Sequence, residues 1–144
     1  MNPHISSIII GVRDMNRAKQ FYRDLGWPIQ VDQGQFVSFA PADGSSKLAL
    51  YAWDVLADDA GVPPDGSGFR GLVFSYIVRS KERVDALLAE AERAGGTIVK
   101  PGQEAKWGGY FGYFADPDGY LWKVVPGTYE RGGVEVETQD AFSE

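Results

Sequence analysis

Lys123 is the side chain of this protein that most invites a chemical role. It stands in Tyr120-Leu121-Trp122-Lys123-Val124-Val125, an aromatic and β-branched run that reads as a strand, and alternation puts Leu121 and Val125 on its own face. An amine stripped of water there could act as a base, trap a carbonyl, or anchor an anion. Tyr110 and Tyr113, in the preceding strand, offer phenols as acids. The plainer alternative lays the lysine stem along apolar surface and leaves its head at solvent or a carboxylate. Other chemistry is scarce. The absence of cysteine removes disulfides, thiolate metal sites and a thiol nucleophile. One histidine, His4 near the N-terminus, gives no credible hydroxyl–imidazole pair. Gly108-Gly109 joins strand to strand rather than strand to helix, so it is no phosphate-binding loop.

The element that positions Lys123 is a hairpin, Trp107 to Val125. Its turn is Asp116-Pro117-Asp118-Gly119. Proline pre-sets one backbone angle, aspartate side chains bond nearby amides, and glycine takes the positive-φ position. The remaining chain supplies two modules of the same kind. Ile5 to Arg13 reads as a buried strand. Asp14 caps a helix whose apolar face is Met15, Ala18, Phe21, Tyr22 and Leu25, with Gly26 as its stop. Trp27–Val31, Phe36–Ala40 and Lys47–Trp53 read as three strands. The loop 54–69 contains Pro63-Pro64-Asp65-Gly66-Ser67-Gly68, and Val55 to Ala60 within it suits one helical turn.

The pattern then restarts. Gly71 to Val78 is a strand and Ser80 caps a helix with Val84, Leu87, Leu88, Ala91 and Ala94 buried. Gly95-Gly96 ends it, Thr97–Lys100 is a strand, and the hairpin follows. Val12-Arg13 matches Val78-Arg79, and Phe36 through Gly44 matches Phe111 through Gly119. Two such matches in the same order mark an internal repeat of β-α-β-β-β modules. The expected organisation is a first module over 1–60, a linker over 61–69, a second module over 70–127, and a mobile acidic tail over 128–144. Within that tail Val134 and Val136 could add an edge strand.

Composition excludes several classes of function. With 44% apolar and 24% charged residues the chain has an ordinary globular make-up. A net charge of −6 without a basic stripe argues against nucleic acid. No apolar run reaches membrane-span length and no signal peptide is evident, so a cytoplasmic location is expected.

Tandem β-α-β-β-β modules, the Gly11-Val12-Arg13-Asp14 helix entry and the Asp116-Pro117-Asp118-Gly119 turn followed by Trp122 resemble the vicinal oxygen chelate superfamily. That superfamily contains glyoxalase I, extradiol dioxygenases, fosfomycin-resistance transferases and bleomycin-resistance proteins. The likeness covers roughly residues 5 to 126. From Ala89 through Trp122 it looks like an uncharacterised glyoxalase-like subgroup. The resemblance implies an α+β fold of two curved mixed sheets around a ligand-holding cleft, and a homodimer.

It also implies a divalent metal, held by His, Gln or Glu at four inward positions. Carried onto this sequence, those positions are Ser7, Leu50, Val73 and Lys123. A hydroxyl, two hydrocarbons and an ammonium are poor ligands for such a cation, so no metal and no cofactor are expected. Two readings follow. In one, a bleomycin-resistance-like module sequesters a small aromatic or amphipathic molecule. Ser7, Leu50, Val73, Trp107, Tyr110, Tyr113 and Lys123 would line the site, amid an aromatic surplus that includes Trp53, Phe111 and Trp122. By strand parity, however, Trp122 belongs in the core. In the other, a metal-independent lyase or isomerase works through Lys123. A metal-dependent glyoxalase or dioxygenase returns only if the ligand register is misread. Arg13 and Arg79 suit ion pairs or loop caps, Arg70 the cleft mouth, and Glu104 and Lys106 a loop or lid.

Overall fold

The computed structural model describes residues 1–127 except 67, 71 and 107, together with the backbone of 130–131 and 134–135. Chain order is β1 (Ser7–Val12), α1 (Met15–Asp24), β2 (Ile29–Asp32), β3 (Phe36–Phe39), β4 (Lys47–Ala52), α2 (Trp53–Ala60), β5 (Val73–Val78), α3 (Lys81–Arg93), β6 (Thr97–Glu104), β7 (Tyr110–Ala115) and β8 (Leu121–Pro126). A two-residue antiparallel pair follows, β9 (Glu130–Arg131) with β10 (Val134–Glu135). The rest of the expected tail, including Val136, lies outside the described residues. The chain forms two compact units, Met1–Gly68 and Phe69–Glu144.

Both units carry a four-stranded sheet of the same layout, β1-β4-β3-β2 and β5-β8-β7-β6. The first and last long strands of each unit pair in parallel, and the other neighbours are antiparallel. These are the two like β-α-β-β-β modules that the repeat predicts, in the α+β, glyoxalase-like arrangement that the resemblance implies.

In the first unit, Asp14 accepts the Arg17 amide at 3.1 Å and starts α1, and Gly26 at φ 101° lets the chain leave it. Ala18, Phe21 and Tyr22 of α1 are fully buried, as are Val37, Phe39 and Leu50 of the sheet. Tyr22, Trp27 and Phe39 meet as a ring cluster with centroids 5.9 to 6.4 Å apart. The chain turns from β4 directly into α2, which is two helical turns rather than one and takes Trp53 out of the strand. Trp53 folds over Gly11, where an added Cβ would lie 3.3 Å from the indole. The Arg13 guanidinium stacks on that indole at 4.1 Å, and the indole N–H donates to the Pro64 carbonyl at 2.8 Å. Arg13 also donates to the Gly66 carbonyl at 3.4 Å, so it ties the loop after α2 to the helix entry.

In the second unit, the Ser80 hydroxyl accepts the Arg83 amide at 3.2 Å to start α3. Val84, Leu88 and Ala91 then bury against the sheet. The core is aromatic: Trp122 stands 4.9 Å from Phe74 and stacks on Phe114 at 5.9 Å and 4°. Trp122 thus faces α3, as its strand parity requires. The hairpin turn is built as its residues dictate. Asp116, 3% exposed, accepts the amides of Asp118 and Tyr120, both at 2.9 Å, and Gly119 has φ 88°. Arg70 donates to the Asp118 carbonyl at 2.9 Å and lies over the Tyr120 ring at 4.4 Å, bracing the turn.

Strand boundaries differ from expectation in one informative place. β6 runs past Pro101 to Glu104, with register shifts on either side of Lys100. Proline is tolerated because β6 is a sheet edge, where a missing N–H breaks no ladder on its outer side. Glu104, expected in a loop, is consequently the end of a strand, and it pairs with Lys81 at 2.8 Å.

Candidate ligand-binding site

Strand register, rather than sequence order, assembles the site. On the face of the second sheet turned away from α3, Lys100 of β6 lies opposite Tyr113 of β7. Tyr113 lies opposite Lys123 of β8, and Lys123 lies beside Ser75 of β5. One cross-strand row therefore reads Lys100, Tyr113, Lys123, Ser75. Neighbouring side chains in such a row stand close enough to interact. Phe111, two residues before Tyr113 and so on the same face, meets it edge-on at 6.0 Å. Both ammonium groups reach that ring, Lys123 at 5.4 Å and Lys100 at 5.6 Å from its centroid. Each distance is within cation–π range. Val73, 36% exposed, shares the face and lies opposite Leu121. The arrangement offers aromatic surface with two positive charges above it.

Of the residues singled out in the sequence, the structure brings Val73, Tyr113 and Lys123 onto this face. Tyr110 goes to the other side. Its hydroxyl donates to Asp85 of α3 at 2.9 Å, and it lines a recess of about 340 Å³ with Arg79, Ser80, Lys81, Gly108, Gly109 and Pro126. Desolvation, then the hydrogen bond to Asp85, raises its phenol above the usual range. Beside it, the hydrogen bond that the Lys81 ammonium donates to Glu104 holds that ammonium above its ordinary value. Trp107 lies outside the described residues. Lys100 and Ser75 went unrecognised as candidates. The signal for Lys100 is its place opposite Tyr113, which a register crossing two bulges hides from sequence periodicity.

The first sheet has a corresponding face, away from α1. Ser7, Ile9, Gln30, Phe36, Ser38, Lys47, Ala49 and Tyr51 contribute to a recess of about 330 Å³ there. Phe36 and Tyr51 meet edge-on at 4.9 Å. Leu50 is not on it. Fully buried, it packs on the α1 side, so the sequence count across the Pro41–Ser46 turn lands one residue too far. Ala49 pairs with Ile9 as Lys123 pairs with Ser75, which makes Ala49 the true counterpart of Lys123.

With that correction, the positions to which the resemblance assigns a metal read Ser7, Ala49, Val73 and Lys123. Their donor set does not fit a divalent cation: one neutral hydroxyl, two hydrocarbons and a positive charge. Among the described residues no three of His, Asp and Glu gather in a way that could hold one. His4, exposed, has its Nδ1 2.7 Å from the Asn2 carbonyl.

The fold has relatives. A family model described as the glyoxalase/bleomycin resistance protein/dioxygenase superfamily matches residues 4–124. The solved structure of a glyoxalase-related enzyme from Fulvimarina pelagi is 25% identical, with TM-score 0.78 over 92% of this chain and 96% of that one. A member of the same superfamily from Sphaerobacter thermophilus is 26% identical, with TM-score 0.65 over 86% and 97%. A lactoylglutathione lyase from Agrobacterium tumefaciens, 23% identical with TM-score 0.65 over 88% and 96%, shares the fold. A search of curated proteins returned no match. Module repeat, sheet order and family match lead to one assignment: this chain belongs to the glyoxalase/bleomycin resistance protein/dioxygenase superfamily.

Proposed function

We propose that this protein binds a small aromatic or amphipathic molecule without a metal, in the manner of bleomycin-resistance members that sequester their ligand. The site is the face of the second sheet that carries Lys123, and the working form is a cytoplasmic homodimer. The observation that carries the reading is the Lys123 ammonium 5.4 Å from the Phe111 ring, with Tyr113 directly opposite Lys123 in the sheet. Aromatic surface with a few placed polar groups is the usual make-up of a small-molecule site. The donor set at the family's metal positions supports the metal-independent part.

The test combines elemental analysis and native mass spectrometry of untagged protein with ligand binding by wild type and Lys123→Ala. The expected result is no stoichiometric metal, binding without turnover, and anionic aromatic ligands about 5-fold weaker on Lys123→Ala while neutral ones are unchanged. One divalent ion per chain, or product formation that Lys123→Ala abolishes while affinity survives, overturns the reading. The second outcome would make Lys123 catalytic.

A further inference from the structure

We infer that Asp65 is a site of spontaneous backbone modification, where the chain passes through a cyclic imide to an isoaspartyl link. The chemistry needs only the aspartyl side chain, the amide that follows it, and water. The Gly66 nitrogen attacks Cγ of Asp65, and the amide proton leaves with the carboxyl hydroxyl as water. A second water then opens the ring. Attack at Cγ restores aspartate. Attack at the main-chain carbonyl breaks its bond to the Gly66 nitrogen, so the chain runs on through Cγ and the α-carboxylate is set free. Glycine is the residue best suited to follow, because it places no Cβ beside the attacking nitrogen.

The sequence holds three Asp-Gly pairs, and their surroundings separate them. In Asp43-Gly44 both reacting groups are occupied. The carboxylate accepts the Ser45 amide at 2.9 Å, and the Gly44 amide donates to the Pro41 carbonyl at 3.2 Å. The Ser45 bonds also hold the Asp43 carboxyl below its usual range, in the ionised form that releases water poorly. In Asp118-Gly119 the Gly119 amide donates to the Asp116 carbonyl at 3.0 Å, inside the turn. At Asp65-Gly66, among the described residues, neither the carboxylate nor the glycine amide is hydrogen-bonded. Both residues are exposed, and a Cβ built on Gly66 meets nothing within 4 Å. Each hydrogen bond that must open first lowers the reactive population about 5-fold, so Asp65 leads.

The carbonyls on either side of Asp65 are both held. Pro64 accepts from the Trp53 indole at 2.8 Å and Gly66 from the Arg13 guanidinium at 3.4 Å, and those two donors stack on each other at 4.1 Å. An isoaspartyl link inserts one methylene into the chain between the two carbonyls. The stacked pair then no longer holds both at their present spacing, and the loop loosens from the helix entry.

The experiment is incubation of the intact chain in heavy-oxygen water at mildly acidic pH, then peptide mapping by fragmentation that distinguishes isoaspartate from aspartate. Every ring opening leaves one heavy oxygen, whichever way the ring opens. Label is expected at residue 65 at least about 5-fold faster than at 43 or 118, and at similar rates at all three in the urea-unfolded chain. Asp65→Glu, whose larger ring closes less readily, should lose the label. Asp65→Asn, which closes the same ring with loss of ammonia, should gain it sooner. In the isoaspartyl product the Trp53 indole N–H resonance should shift. No label at residue 65, equal or faster labelling of 43 or 118 in the folded chain, or a ratio that persists in urea overturns the inference. An indole resonance that stays in place overturns the loosening of the loop. Unchanged circular dichroism establishes that the variants fold.

Discussion

Gly112 is a position in the second unit where an added methyl group would press on the core. It lies mid-strand in β7 on the α3 side. A Cβ there would stand 2.6 Å from Leu88 Cδ1, 3.2 Å from the Lys100 carbonyl oxygen and 3.5 Å from the Gly102 nitrogen. Leu88 is 2% exposed, so it can yield only by displacing other core side chains. Overpacking of this sort costs about 1–3 kcal/mol. Replacing glycine returns roughly 0.5–1 kcal/mol by restricting the unfolded chain. Gly112→Ala should therefore lower stability by about 1–2 kcal/mol, despite alanine being the better strand residue. In urea unfolding followed by circular dichroism, this moves the midpoint down by roughly 1 M with an unchanged slope. Leu88→Ala alone should cost about 2–5 kcal/mol. In that background the Leu88 clash is gone and only the 3.2 Å contact with the Lys100 carbonyl remains, so Gly112→Ala should cost at least about 1 kcal/mol less than in wild type. The reasoning is refuted if Gly112→Ala is harmless in wild type, or costs the same in both backgrounds.

Two further perturbations probe other parts of the same unit. Asp116→Ala should cost about 1–2 kcal/mol in denaturant unfolding, because it strands the part-buried amides of Asp118 and Tyr120 that its carboxylate accepts. Asp116→Asn, which keeps one acceptor oxygen, should cost less, and equal losses would count against the turn argument. Tyr110→Phe should show a pH dependence in alkali. The native state favours the neutral phenol, so its stabilising contribution is complete below the ordinary value of 10.0 and is lost as pH rises through the raised native value. Wild type should hold an advantage of about 1 kcal/mol near neutrality from the bond to Asp85, and that advantage should shrink above pH 10. A difference that stays constant from pH 8 to pH 11 would exclude this cause.

The repeat was legible because its signals are local. Asp14 and Ser80 cap their helices as their types and positions predict, and Asp116 to Gly119 forms the turn its residues specify. Period-two alternation also placed Trp122 in the core and left Lys123 on the other face. What alternation cannot carry is a count across an irregularity. Leu50 was placed by counting through a longer turn, and one residue of error inverts the face of a strand. Lys100 was hidden for the same reason, since bulges on both sides of it reset the parity of β6. Tyr110 and Tyr113 look interchangeable in sequence but are three residues apart, an odd number, and so face opposite ways. Trp53 read as strand because of its aromatic type. Its helical start depends on Gly11, forty-two positions earlier, leaving room for the indole.

Each sheet is closed by its two most distant strands. Ser7 meets Lys47 across forty residues of chain, and Val73 meets Leu121 across forty-eight. β1 and β5 are sheet edges, so β4 and β8 are their neighbours in the ladder. As the polypeptide leaves the ribosome, either first strand must therefore wait, apolar and unladdered, until its whole module has emerged. Loop closure over such lengths is entropically slow, and an exposed strand in the interval is open to pairing with another chain. Neither sheet can close before its late strand is present, so a chain that stops before residue 121 leaves β5 without its ladder partner.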